Sequence, residues 1–362
     1  MPPLEVWEKV LIAGAGGEVF LASTHGKMPC THCHLGRDGD LTKEEAHEGM
    51  IPRPSATRTV CRDCHFTATR NVAKSLHAGL WGEKNLLARR FGVESYDDLP
   101  HGVQEGYTKE CASCHTSCGD CHVNRPASVG GGLVAGHRFG SPDMTLNCTA
   151  CHGSRIGEEC LGQREGYGAD VHYVPGAKRC TFCHTREELH GDGTSPASRL
   201  DAPGAPRCED CHDGVAEANG YHTTHWGDLS CQTCHSQDYK SCTSCHAGEG
   251  LAQPSAIGFK IGRNPVPEKR PYRYVTLRHI PIAEDTYRNW DGGEPLTGFS
   301  SDPTWKYSAP HNIKRWTERT LIPEGGTCGT TCHGSSDGTE GVFLRQADLD
   351  AMSQRKPAPT ET

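Results

Sequence analysis

Cys111-Ala112-Ser113-Cys114-His115-Thr116-Ser117-Cys118-Gly119-Asp120-Cys121-His122 contains the same pentapeptide twice, Cys-x-x-Cys-His, with two residues between the copies. Two thiols at this spacing reach the two vinyl groups of one haem and form thioethers. The imidazole of the next residue meets the iron from below, so one pentapeptide supplies both tether and proximal ligand.

The motif recurs on both sides. Upstream lie Cys30/Cys33/His34 and Cys61/Cys64/His65. Downstream follow Cys148/Cys151/His152, Cys180/Cys183/His184, Cys208/Cys211/His212, Cys231/Cys234/His235 and Cys242/Cys245/His246. With the opening pair these make nine, and a tenth variant, Cys328-Gly329-Thr330-Thr331-Cys332-His333, carries one extra residue. A zinc ribbon or a thioredoxin-type dithiol also uses Cys-x-x-Cys, but neither needs a histidine after every second cysteine. With histidine near one residue in sixteen, its chance occurrence at all ten positions is on the order of one in a million million. The tenth site admits a disulfide or a decayed motif as alternatives, although it keeps the terminal Cys332-His333 pair.

Twelve histidines lie outside the motifs: His25, His32, His47, His77, His101, His137, His172, His190, His222, His225, His279 and His311. Ten would complete ten six-coordinate irons. Methionine is the other common distal ligand, but the chain has five, and Met1 and Met352 sit at its ends. The expected distal set is His25, His47, His77, His137, His172, His190, His222, His225, His279 and His311, mostly flanked by small residues that let a flat macrocycle approach. His32, inside the first motif, cannot turn back to its own iron, and His101 after Pro100 reads as surface.

Composition agrees with a cofactor-organised fold. Only 35% of the 362 residues are hydrophobic, against 43 Gly, 23 Pro, 21 Cys and 22 His, so an aliphatic core is undersupplied. The formal charge of −8, with no Lys/Arg cluster, excludes a nucleic-acid surface. No apolar run approaches the roughly 20 residues of a membrane-spanning helix. The stretch from Val10 to Phe20 is Gly-rich and acidic instead of an apolar signal segment, which reads as a mature or trimmed chain.

The expected fold is mostly irregular coil with short α-helices and little β, organised around a row of covalently bound haems. Helices are expected after several motifs and around Val72–His77 and Lys84–Phe91. Two motif pairs, His115 to Cys118 and His235 to Cys242, are so close that their haems must be neighbours, given about 3.3–3.6 Å per extended residue. Three regions follow: 1–130 with four motifs, 131–250 with five, and 251–362, a wrap that carries the last motif together with His279 and His311. Cys160 belongs to no motif and reads as a free buried thiol, with an intermolecular disulfide as the alternative.

The span from Cys30 to His333 resembles the multihaem c-type cytochromes of metal-reducing and related anaerobic bacteria and archaea. Ser23-Thr24-His25-Gly26, Leu76-His77-Ala78-Gly79, Asp170-Val171-His172-Tyr173, Leu189-His190-Gly191 and Arg278-His279-Ile280-Pro281 resemble their distal-ligand segments. The resemblance implies periplasmic or extracellular electron transfer by ten covalent haems c, with redox proteins or extracellular acceptors as partners. Some relatives polymerise into filaments in which a histidine near one chain's N-terminus ligates a haem of the next, a part open here to His25 or His47. Thioether formation outside the cytoplasm points to the same compartments.

Two functions are open on sequence alone. An electron conduit needs no vacant iron, and the supply of histidines matches that. A multihaem reductase of a small nitrogen or sulfur compound would leave one haem open, as several multihaem enzymes do. No Cys-x-x-Cys-Lys motif, the mark of one nitrite reductase class, is present.

Overall fold

A computed structural model describes residues 17–39, 41–57, 59–112, 116–163, 166–237, 258–280, 282–292, 295–322, 324–327, 332 and 342–350. Among these residues the chain is mostly coil, with short helices and one small three-stranded sheet, as the sequence leads one to expect. The longest helix, Trp81–Phe91, has 11 residues, a length that is marginal in water without tertiary support.

Several motifs fold as single helical turns. Cys30–His34, Cys118–His122 and Cys231–His235 are five-residue helices, and Cys180–Cys183 is a four-residue one. Residues three and four apart share a helix face, so a complete turn presents both thiols and the imidazole to one side. The turn at Cys118 carries its own N-terminal cap: the Ser117 backbone N–H and hydroxyl both donate to Asp120 Oδ2 at 2.8 Å. Three described motifs depart from this form, one of them Cys148/Cys151/His152, which is split between the π-turn Met144–Cys148 and helix Thr149–His152. Helix Thr59–Arg62 ends before Cys64, and the 3-10 turn Cys208–Asp210 ends before Cys211, whose φ of −125° is no longer helical.

The chain divides into two compact units that interleave along the sequence. The first comprises Met1–Trp81, Cys111–Cys151 and His184–Gly204. Its buried apolar residues, among those described, are Ala78, Leu80, Val123 and Met144, far too few for an aliphatic core. Polar ties take over. The Asn147 amide donates to the carbonyls of Asp120 (2.8 Å) and Asn124 (2.7 Å), and Thr116 donates through its backbone N–H (3.2 Å) and hydroxyl (3.0 Å) to the His77 carbonyl. Gly26 is needed for a close approach, because a Cβ there would run into the Phe20 carbonyl oxygen. Where one helix is expected around Val72–His77, two occur, Phe66–Val72 and Leu76–Gly79. The break has a local cause: the Ser75 hydroxyl donates to the Val72 carbonyl at 2.9 Å, an alternative to helix continuation.

The second unit comprises Gly82–Glu110, His152–Cys183 and Ala205–Thr362. Here an ordinary core exists. Helix His101–Glu110 buries Val103 and Tyr107, and Leu87, Ala88 and Leu99 are buried in the same unit. Strands β1 (Lys260–Arg263), β2 (Tyr274–His279) and β3 (Trp305–Tyr307) form an antiparallel sheet in that order, with Leu277 opposite both Lys260 and Tyr307 and His279 opposite Trp305. Beside it Ile282, Leu296 and Phe299 cluster with Phe91, Ile280 and Tyr287. Arg90, 1% exposed, crosses this core and donates to the carbonyls of Phe299 (2.5 Å) and Pro303 (3.2 Å). Part of the stretch expected as a wrap is thus a packed β element. No helix among the described residues is long and apolar enough to cross a membrane.

Candidate functional site

Histidines meet in facing pairs, and each pair joins one motif histidine to one from the expected distal set. In the first unit His65 faces His25, His34 faces His137 and His122 faces His190, all with ring centroids 6.1 Å apart. In the second, His212 faces His172 at 6.0 Å and His235 faces His222 at 6.1 Å. Directly stacked rings come closer: Phe139 lies 4.4 Å from His25. Two imidazoles bonded to one metal through their near nitrogens, at about 2 Å each, have centroids about 6 Å apart. The observed separations fit one iron between the rings.

Seven of the candidate ligands have the outer nitrogen held as an axial ligand requires, whereas His137 Nδ1 is buried without a hydrogen-bond partner and His222 Nδ1 meets the Asn219 side-chain amide at 3.2 Å. His34 Nδ1 bonds the Ile51 carbonyl (3.0 Å), His122 Nδ1 that of Gly140 (2.8 Å), His235 Nδ1 that of Lys314 (3.1 Å) and His225 Nδ1 that of Tyr221 (2.9 Å). His311 Nδ1 bonds the Ala309 carbonyl at 3.0 Å. His172 and His184 instead use carboxylates, Asp170 Oδ1 at 2.8 Å and Glu188 Oε2 at 2.7 Å. An Nδ1–H donated outward fixes the tautomer and leaves Nε2 as the metal-binding nitrogen. Burial pulls the pKa of His25, His137 and His190 below the usual value, helped by the facing His65, His34 and His122. A lowered pKa favours the neutral form that ligates.

The remaining expected ligands are placed less uniformly. His77 is lowered by burial and lies within electrostatic reach of His184 and Glu188. His279 is 1% exposed on β2, its ring 5.4 Å from Trp305. His47 follows helix Lys43–Ala46 as an exposed residue and faces no described motif histidine. His101 is on the surface beside Glu105, and His32 is exposed. Cys114, His115, Cys242, Cys245, His246, Cys328 and His333 lie outside the described residues.

Thiols of different motifs also converge. Cys61 is hydrogen-bonded to Cys118 with Cys33 nearby, Cys208 to Cys231, while Cys121 lies near Cys151 and Cys234 near Cys332. Burial raises Cys121 and Cys234 to about 11, and lifts Cys160, beside Asp170, Cys180 and Cys183, to about 12. Among the described residues no three His, Cys, Asp or Glu side chains converge as they would around a tetrahedral ion.

Cys64 and Cys211 are each exposed while their motif partners, Cys61 and Cys208, are half-buried. In both motifs the backbone still closes a turn, the His65 N–H donating to the Cys61 carbonyl at 2.8 Å and the His212 N–H to the Cys208 carbonyl at 3.0 Å. Cys30 and Cys183 are also exposed, although both lie within helical turns.

Apolar side chains border the motif turns: Phe66 follows His65, Phe182 sits inside Cys180–Cys183 and Leu35 follows His34, each about half exposed. With the paired imidazoles and flanking thiols, these make the donor and contact set of a flat, largely apolar macrocycle, so the residues present fit haem c. Sequence reading did not single out Asp170 and Glu188 as partners of ligand histidines. Their signal was spacing, Asp170 two residues before His172 and Glu188 one helical turn after His184.

Comparison with known proteins points to the polyhaem c-type cytochromes. The C-type polyheme cytochrome OmcB from two strains of Geobacter sulfurreducens is 23% identical over 266 residues, which is 67% of this chain and 29% of the relative. A 135-residue stretch is 29% identical to human proprotein convertase subtilisin/kexin type 5, covering 32% of this chain and 6% of that one. The chain thus spans less than a third of the length of these curated relatives. An octaheme cytochrome c from Shewanella oneidensis overlays 64% of each chain at a TM-score of 0.36 and 20% identity, too loosely to carry an argument. No family model matches. The OmcB similarity supports a multihaem c-type cytochrome.

Proposed function

We propose that the protein conducts electrons through ten bis-histidine haems c in the periplasm or outside the cell. Haem supplies one-electron ferric–ferrous chemistry. The chain's residues do the rest: cysteine pairs tether, motif histidines ligate from one side, and His25, His47, His77, His137, His172, His190, His222, His225, His279 and His311 ligate from the other. The observation that carries this reading is the set of five imidazole pairs at 6.0–6.1 Å, each joining a motif histidine to a non-motif one. Converging thiols from several motifs support close neighbours along a conducting row. In this reading the exposed Cys64 and Cys211 tether haem beside Cys61 and Cys208.

Partners in this reading are redox proteins or extracellular acceptors, and a second copy of the chain. His47, exposed and facing no described motif histidine, is the member of the distal set best placed to reach a haem of another copy. Ten haems bring twenty propionates onto a chain already at −8, which favours basic partners or cation-bearing surfaces.

The test is the mass of the intact, denatured protein together with its haem-to-protein ratio. Ten covalent haems per chain are expected. Fewer than nine, or haem lost on denaturation, would contradict the reading.

A further inference from the structure

Among the described residues five axial-candidate imidazoles, those of His34, His122, His225, His235 and His311, donate to neutral main-chain carbonyls, whereas those of His172 and His184 donate to carboxylates, one in each compact unit. Asp170 is the more constrained. Only 6% exposed, it accepts from His172 Nδ1 and from the His172 backbone N–H through Oδ1, both at 2.8 Å, and from the Ile313 N–H through Oδ2 at 2.9 Å. Its own backbone N–H donates to the Cys160 carbonyl at 3.0 Å, which ties the main chain here, while the bonds to Oδ1 and Oδ2 hold the carboxylate against the ring. Glu188 reaches His184 Nδ1 at 2.7 Å along one helical turn, its side chain 17% exposed.

We infer that Asp170 and Glu188 are positioning residues that lower the reduction potentials of the centres ligated by His172/His212 and by His184. This rests on the bis-histidine haem reading above. A carboxylate accepting from Nδ1–H draws the proton toward itself, which makes Nε2 a stronger donor to the iron. It also leaves a negative charge one ring away in a partly desolvated setting, where charge interactions are strong. Both effects favour ferric over ferrous iron. A neutral carbonyl, as at His34, His122 and His235, makes a weaker bond and brings no net charge. Each titration step is the gain of one electron from an electrode by one ferric centre, with no atom or proton transferred.

The experiment is spectroelectrochemical titration of the holoprotein, wild type against D170N and E188Q, with E105Q as a control that removes an exposed carboxylate beside His101. Each test variant should move one step upward by at least a tenfold change in its ferric–ferrous equilibrium, 59 mV for one electron. E105Q should move none. Steps that all stay in place in both variants, or that move equally in E105Q, overturn the inference. Should D170N fail to fold because its amide meets the Ile313 N–H, E188Q alone decides. Haem content and the low-spin spectrum of the same samples separate the two levels. Intact low-spin haems with unmoved potentials overturn only the inference, whereas a wild type without them overturns the underlying reading as well.

Discussion

The imidazoles of His34 and His137 face each other at 6.1 Å, the first on a motif helix and the second on an irregular segment whose ring also lies 5.4 Å from Phe20. Nothing local in sequence links them. Only folding of the first unit brings the pair together, and the separation suits one iron between two nitrogens.

Removing one ring should therefore open one site. His137→Ala is expected to convert one low-spin ferric haem to high-spin and to create one carbon monoxide site in the reduced protein. His137→Met should keep that haem low-spin while raising its potential, since thioether ligation favours ferrous iron. Electron paramagnetic resonance and carbon monoxide difference spectra check both, and an unchanged low-spin intensity in His137→Ala would remove His137 from the site.

His47 is expected to matter between chains and not within one. His47→Ala should leave the spectrum of dilute monomer nearly intact while abolishing any concentration-dependent assembly, measured by light scattering. Assembly that persists in the variant would assign the contact elsewhere.

The first unit should depend on its polar ties more than on apolar burial. Asn147→Ala deprives two backbone carbonyls of their donor, and a buried polar group left without a partner costs about 1–3 kcal/mol. Chemical denaturation followed in the Soret band should show a loss of roughly 2–4 kcal/mol. A loss below about 0.5 kcal/mol, the range of ordinary surface substitutions, would mean that the haems alone hold this region.

Asp302 in the second unit contributes acid-sensitive stability. Burial pushes its pKa up, but hydrogen bonds from Lys306 (2.5 Å) and Arg89 (2.9 Å) outweigh it, so the carboxyl is held below the ordinary value of 3.8. A carboxyl depressed in the folded state adds stability that is present above its unfolded pKa and lost as pH falls through the folded one. Asp302→Asn should cost roughly 2 kcal/mol at pH 7 and flatten stability below about pH 4. Equal slopes for variant and parent under acid conditions would contradict this.

The motif turns and the histidine supply are legible in the sequence because each haem site is announced by five consecutive residues, and in a complete turn spacing alone puts two thiols and an imidazole on one face. Which thiol of a motif ends up exposed is not legible: the same spacing leaves Cys64 and Cys211 exposed and Cys234 half-buried. Pair partners are hidden too. His190 meets His122, and His172 meets His212, through tertiary contacts that no local spacing encodes. The sheet was also hidden, because Tyr274–His279 mixes β-branched and charged residues without a clean alternation and is buried through most of its length. Arg90 would have been read as a solvent-facing charge; two backbone carbonyls and the Phe299 ring, 5.1 Å away, make its burial possible. Asp170 and Glu188 escaped because a carboxylate near a histidine is common, and only the 2.7–2.8 Å contacts to Nδ1 give them a role.

The most direct measurement is the low-temperature electron paramagnetic resonance spectrum of the fully oxidised protein, integrated against its covalent haem content. Signals accounting for about ten low-spin ferric haems, with no binding of nitrite, sulfite or carbon monoxide, are expected of a bis-imidazole conduit. A clear high-spin signal that shifts on adding one of these ligands would contradict it and turn attention to an iron lacking its second histidine.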